Sequence, residues 1–442
     1  MRAEPSDLLL IHAAELAACA SPSTAGRPRA GASQADVGII FDGAIAVRGS
    51  KIIDVGTTDE VLRNEPGWLS ELRPRDDAGS TRQTVIDATG KTVLPGFVDA
   101  HTHLVHAGAR YNEHVMRLGG AKYLDILAAG GGILSTVRAT RAASPDELLA
   151  AALKRLDTML MHGTTTVEAK SGYGLDATTE LKQIEAARAL DAGHPVDIVS
   201  TFMGAHAVPP EYSGNADGYL RFVEREMIPK IAGRGLAEFC DVFCEEGVFS
   251  VGQSRTLLRV GLEHGLKPKL HADEIHPIGG AELAAELGAV SADHLAAASR
   301  GGMESLAEAG VVAVLLPATM FTLMSDRYAD ARAMIELGAP VALATDFNPG
   351  TSPAMSMQFV ITLACLQMKM SPAEAVVAAT ANAAFAVGRG DVAGSIWPGK
   401  NGDFVVCDVP SVDALPFAVG VNTVTDVVKG GVHVVRNGIR VS

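Results

Sequence analysis

The chain has 442 residues, 48% of them apolar and 20% charged, with a formal net charge of -14. That length accommodates several domains, or one α/β barrel of ~250 residues with a smaller companion. The acidic balance argues against nucleic acid and anionic membrane as partners, and an anionic small substrate would need a local cation.

Strand-like runs open the chain at Asp7–Ile11, Gly43–Val47 and Lys51–Val55. Leu8 to Ala20 resembles the apolar part of an export signal, but His12 and Glu15 interrupt it, so no signal is expected. Ser21–Ala35, rich in Pro, Gly, Ser and Ala, reads as an exposed loop. Leu62 to Gln83 is polar and without a defined element, with Trp68 as its anchor, and Val85-Ile86-Asp87 is another short strand.

From Val93 the pattern changes to strands alternating with helices. Short apolar runs lie at Val93–Val98, Thr164–Val167, Val196–Phe202, Phe239–Phe243, Lys267–Leu270, Ala289–Ala292, Val311–Leu315 and Val341–Ala344. Between them, Ser144 to His162 reads as a helix with a Ser144/Glu147 capping box and Pro145 in the first turn. Leu149, Leu153, Leu156 and Leu160 would line its buried face. Asp176 to Ala192 is a second helix, and Ser371-Pro372-Ala373-Glu374 starts a third. Phe347–Met368 is uncharged, but Pro349, Gly350 and Pro353 leave too short an apolar stretch to span a bilayer. The chain then returns to strands at Asp403–Val406, Thr425–Lys429 and Val432–Arg436, with Asn437-Gly438 as a turn.

Eight strands alternating with helices predict an α/β fold: a (β/α)8 barrel, with a doubly wound open sheet as the alternative, and a small β-domain assembled from both chain ends. The expected divisions are 1–93 and 391–442 for the small domain and 94–390 for the barrel. Five scattered cysteines, Cys19, Cys240, Cys244, Cys365 and Cys407, read as buried thiols in a reducing cytoplasm rather than a disulfide frame.

Ionisable residues cluster where these strands end, which is where such a barrel places its active site. His101 and His103 follow the first strand at i and i+2, so an extended chain points both imidazoles to one side. His206, His271, His294 and Asp346 follow or end four later strands. His101, His103, His271 and Asp346 form a set suited to one divalent metal with an open position for water. Glu274, three residues after His271, and His294 are placed to move a proton. Arg110, in the loop above the first strand, suits a substrate carboxylate. Tyr173 sits in the Ser171-Gly172-Tyr173-Gly174 loop and offers a hydroxyl, and Asn348-Pro349-Gly350-Thr351 follows Asp346 with further donors. Lys170 also ends a strand. As a carbamylated bridge it would hold two metals, but a one-metal site is the preferred reading.

At these residues the sequence resembles the amidohydrolase superfamily, and within it the imidazolonepropionases, from about Val85 onward. The specific signals are Gly130-Gly131-Gly132-Ile133-Leu134-Ser135-Thr136-Val137-Arg138, Lys170 to Leu175, Gly204 to Pro209, His271-Ala272-Asp273-Glu274 and Ala344 to Gly350. The resemblance implies a distorted TIM-like barrel with a small β-sandwich built from both chain ends, in a cytoplasmic homodimer. It implies one zinc or iron ion on His101, His103, His271 and Asp346. Arg110, Tyr173, His206, Asn348, Gly350 and Thr351 would hold substrate or product, with Glu274 and His294 catalytic. The implied reaction is hydrolysis of 4-imidazolone-5-propanoate to N-formimidoyl-L-glutamate in histidine degradation, by hydroxide generated at the metal and added to the ring amidine carbon. The sequence leaves open which of Glu274 and His294 is the base.

Departures from the family pattern are His106, Tyr111, the length of Ser21–Ala35, and Thr319 to Asp330. Competing readings are a deaminase of cyclic amidines on the same metal set, a binding protein on a decayed barrel, and an iron oxygenase. Ammonia release, ligand binding without metal, and oxygen uptake would respectively mark them.

Overall fold

The computed structural model describes residues 7–20, 26–66, 68, 84–121, 125–126 and 129–441. Eight parallel strands form a barrel: β1 Phe97–Asp99, β2 Thr164–Lys170, β3 Asp197–Ala205, β4 Phe239–Cys244, β5 Lys267–Ala272, β6 Ser291–His294, β7 Val312–Leu315 and β8 Val341–Leu343. Each pairs with its neighbour in chain order. Closure between β1 and β8 is made by the segments just beyond them. Thr102 bridges Phe347, the His103 amide donates to the Phe347 carbonyl at 2.8 Å, and the Thr345 amide and hydroxyl donate to Asp99.

A second sheet of nine strands combines both chain ends, as the strand-rich termini suggest. Leu8–Ala17, Ile39–Arg48, Lys51–Thr57, Thr84–Asp87 and Thr92–Pro95 come from the first hundred residues. Phe404–Cys407, Val424–Lys429, Val432–Arg436 and Ile439–Arg440 come from the end. Thr92–Pro95 joins the two sets, antiparallel to Phe404–Cys407 and parallel to Leu8–Ala17. The period-2 alternation of strands puts Leu8, Leu10, Ile45 and Val47 with Phe404 and Val406 on one face, and Leu9, Ile11, Ala44 and Ala46 with Val61 on the other. Trp68 packs into the second cluster, which is the anchor expected of it; residues 69–83 lie outside the described residues.

Three expectations change. The run Val93–Val98 is not one strand. It divides at Gly96, because Thr92–Pro95 serves the small sheet while Phe97–Asp99 opens the barrel, and a Cβ at Gly96 would lie 2.3 Å from the Thr165 hydroxyl. In the helix Pro145–Met161 the Ser144/Glu147 capping box is present, but the buried side chains are Leu148, Ala152, Leu156, Met159 and Leu160. Leu156 and Leu160 are buried as expected, but Leu149 is half-buried and Leu153 is 39% exposed, and Leu148 and Ala152 take their places. The loop Ser21–Ala35 is not exposed throughout. Over its described part, 26–35, Arg29 and Gln34 are buried, and Gln34 takes over the backbone pairing of Val341 at the foot of β8, accepting from its amide and donating to its carbonyl, both at 3.1 Å. The loop ends in a short helical turn, Gly31–Ala35, that seats this glutamine. Gln34→Ala would leave the Val341 amide buried and unpaired, so destabilisation of about 1–3 kcal/mol is expected. An unshifted denaturant midpoint would show the contact to be idle.

The remaining seven runs each overlap a barrel strand. Cys240 and Cys244 are buried free thiols, as expected, and so are Cys19 and Cys407, while the free thiol Cys365 is half-buried. No helix among the described residues is long and apolar enough to cross a membrane.

Candidate metal centre and active site

The barrel interior below the site is polar, and the pleat decides which residues build it. Glu168 and Lys170 on β2, Lys269 and His271 on β5, and Ser291 and Asp293 on β6 are i, i+2 pairs. All six are buried, as is Asp241 on β4. Lys269 donates to Glu168 at 2.8 Å. The Lys170 ammonium lies 2.6 Å from Asp241, 3.0 Å from Glu168 and 3.1 Å from Asp293. Burial alone would depress the Lys170 pKa, but Asp241, Glu168 and Asp293 outweigh it and hold the amine well above its ordinary value. The lysine is thereby tied to three carboxylates as an ammonium.

Above this layer the carboxylates orient imidazoles. His101 donates Nδ1–H to Asp293 at 2.6 Å and His271 donates to Asp241 at 3.1 Å. His103 uses the same nitrogen on the Ser171 carbonyl at 3.3 Å. The tautomer is thereby fixed, and Nε2 carries the free lone pair. In His101 and His271 that Nε2 is buried without a hydrogen-bond partner. His101 Nε2 lies 3.5 Å from Asp346, whose other oxygen accepts from Thr319 at 2.6 Å. His101, His103 and Asp346 present ligand atoms mutually within 4.8 Å, and so do His101, His271 and His294, and His103, His206 and His271. Burial first, and then neighbouring cations and rings, keep His101, His103 and His271 well below their ordinary pKa, hence neutral. Neutral imidazoles with orphaned inward nitrogens beside a carboxylate fit a divalent metal.

His294 ends β6 with positive φ (77°), and Asp346 likewise (51°); such strained backbone gathers at functional sites. His294 stands 3.6 Å from Glu274. Burial pushes Glu274 up to about 8 and His294 down to about 4.

Opposite, His206 stacks on His103 with centroids 4.7 Å apart, and Tyr173 lies 5.3 Å from both rings. His206 donates to the Gly172 carbonyl at 3.1 Å. Gly172 has φ +109° and no room for a Cβ beside that ring. The loop is tied by Glu180, which accepts from the amides of Gly172, Gly174 and Leu175. His106 is buried, donates to the His103 carbonyl at 2.7 Å, and forms the wall behind Tyr173.

Arg110 reaches the site from the loop above β1. Its guanidinium lies flat against Gly350, where an added Cβ would fall 1.3 Å from Nη2. Its Nε is buried and has no hydrogen-bond partner. Asn348 bonds within its own loop, donating to the Asp346 carbonyl and accepting from the amides of Gly350 and Thr351, with the Thr351 hydroxyl at its side.

The twelve residues singled out in the sequence lie at the C-terminal ends of the barrel strands or in the loops that follow them, but that reading omits Asp241, Asp293, Glu168, Lys269, Thr319 and Glu180. The i, i+2 alternation of charge within β2, β5 and β6 was the available signal, obscured by reading those strands as apolar runs. Thr319 fell in a stretch that departs from the family pattern.

Models of the "Amidohydrolase family" match residues 259–434 and 84–127. In solved structures the fold recurs in a triazine hydrolase variant (TM-score 0.72, 16% identity, 98% of this chain and 96% of that one). It recurs also in a zinc-bound adenosine deaminase from Xanthomonas campestris (TM-score 0.68, 18% identity, 100% and 95%). Imidazolonepropionase from Shouchella clausii is 53% identical over 93% of this chain and 90% of that protein. The Geobacillus kaustophilus imidazolonepropionase is 52% identical over 98% of each. At such identity over nearly its whole length, the chain belongs to the imidazolonepropionase family of amidohydrolases.

Proposed function

We infer that this protein hydrolyses 4-imidazolone-5-propanoate to N-formimidoyl-L-glutamate, a step of histidine degradation. The observation that carries this is the overlap of ligand groups that share His101, His103, His271 and Asp346, beside an arginine whose Nε is buried, in a chain half identical to imidazolonepropionases. These four residues would hold one zinc or iron ion, which lowers the pKa of water and polarises a carbonyl oxygen.

Atom balance moves the point of attack. The product keeps its formimidoyl carbon on the α-nitrogen and gains a carboxylate. Water oxygen therefore adds to the ring carbonyl carbon, not to the amidine carbon expected from the sequence. The bond from that carbonyl carbon to the ring nitrogen breaks, and the nitrogen takes a proton. Glu274 and His294, 3.6 Å apart, are the groups that carry protons between water and departing nitrogen. Arg110 takes the propanoate carboxylate, and Tyr173 and His206 flank the ring. Asn348, Gly350 and Thr351 shape the loop on which Arg110 rests.

The chain is proposed to divide at Gly96, just past the expected 94, and at 390, and to act in the cytoplasm as a homodimer. Tyr111, Val115 and Leu118, exposed along one face of the helix Tyr111–Leu118, support the dimer. A single-chain mass by light scattering would end that reading.

The functional test follows the ultraviolet absorbance of freshly generated substrate with untreated protein, chelated protein and Arg110→Ala. Turnover should vanish on chelation and return with metal. Arg110→Ala should raise KM by ~30-fold or more, the loss of a charge-assisted bidentate contact. A folded, metal-loaded protein without turnover would refute the substrate.

A further inference from the structure

The glycine motif Gly130–Arg138 takes no part in the metal chemistry, yet it meets the arginine clamp through one side chain. Glu113 lies in the first turn of the helix Tyr111–Leu118 and is 6% exposed. Its Oε1 accepts from the Gly132 amide at 2.8 Å, and Gly131 packs so tightly that a Cβ there would sit 2.8 Å from the same oxygen. Its Oε2 stands 3.7 Å from Arg110 Nε and 3.6 Å from Arg117 Nη2. Arg117 in turn donates twice, at 3.3 Å, to the carbonyl of Gly350, the residue under the Arg110 guanidinium. The Arg110 amide closes the set on the Pro349 carbonyl at 2.9 Å. One carboxylate thus touches the glycine loop and both guanidiniums, and the two arginines share one seat.

The surroundings suit an anion brought to Arg110. The three side chains are 8–13% exposed, so little water screens them. One carboxylate against two guanidiniums leaves a single positive charge. Arg110 Nε and Thr136 Oγ1 are both buried without a partner, and both line a cavity of about 300 Å³ walled by Gly130, Gly131 and Ser135. The Arg110 charge also acts on Tyr173 and His206, lowering both against the effect of burial on the tyrosine and with it on the histidine.

We propose that Glu113 is the positioning residue of the substrate-carboxylate clamp: it holds Arg110 over Gly350, with Arg117, and ties that clamp to the glycine loop at Gly132. The proposal rests on the anionic-substrate reading above. Glu113 touches no reacting atom, so its effect falls on recognition of the carboxylate.

The test compares wild type and Glu113→Gln on the propanoate substrate and on its uncharged carboxamide analogue. Glutamine keeps an acceptor for the Gly132 amide while removing the charge that fixes the guanidiniums. The expected result is a ~10-fold rise in KM for the propanoate, kcat changed less than about twofold, and no change in KM for the carboxamide. Glu113→Asp should restore part of the propanoate KM. A lowered or unchanged KM for the propanoate would overturn the proposal, since Glu113 would then merely compete with the substrate or stand idle. Equal losses on both substrates would overturn it too, as the mark of general structural damage. Should Glu113→Gln fail to fold, Glu113→Asp alone decides, with the same selective rise in KM expected to a smaller degree. Failure of the underlying reading is separate: wild type would then turn over neither compound.

Discussion

His271→Ala is expected to abolish turnover, by at least ~10³-fold, and to leave the protein without stoichiometric metal by elemental analysis. Two causes act together. The substitution removes one of the two proposed ligand imidazoles, His101 and His271, whose Nε2 is buried without a hydrogen-bond partner. It also removes the Nδ1–H donor from Asp241, which shares the Lys170 ammonium with Glu168 and Asp293. The buried cage holds three carboxylates against two ammoniums, and each lost donor makes that imbalance costlier. Asp241→Asn separates the causes. It spares every proposed ligand but weakens the group that fixes the His271 ring, so metal affinity should fall ~10–100-fold while turnover persists at saturating metal. His271→Ala with full metal and turnover within tenfold of wild type would remove His271 from the centre.

The contrast between those two variants also marks what the chain discloses before it is folded. His101, His103, His271 and Asp346 are legible because ligand chemistry restricts residue type and each lies just past an apolar run. Asp241 and Asp293 are not, because an aspartate inside a strand has many explanations until its neighbour across the sheet is known. The sheet register sets Asp241 opposite Lys269 and Asp293 opposite His271, and only the closed barrel brings Asp293 to His101. Helix starts at Ser144 and Ser371 were readable from local capping alone, and both side chains do cap their helices, as Asp176 does at the start of the helix read there. The division at Gly96 was not readable, since it depends on Thr165, distant in sequence, leaving no space for a Cβ. Gln34 was hidden for a similar reason: it bonds the backbone of Val341, which carries no side-chain signature.

Glu274→Gln should lower kcat by ~10²–10⁴-fold with metal content unchanged. Glu274 is within reach of the centre but in none of the converging ligand groups, so its loss should spare the metal. Burial raises its carboxyl to about 8, with the Asp346 and Glu245 charges adding to the effect. A divalent cation beside it opposes that shift, so the acid ionises where the metal is held and keeps its proton where it is not. The group is thereby matched to take a proton from attacking water and to pass it on. His294, pushed down to about 4 by burial, is neutral at pH 7 and stands 3.6 Å away, placed to relay that proton toward the departing nitrogen. The acid limb of the kcat profile should therefore disappear in Glu274→Gln and survive, at a reduced rate, in His294→Asn. If Glu274→Gln keeps the acid limb and a rate within fivefold of wild type while His294→Asn loses both, the assignment reverses and the imidazole is the base.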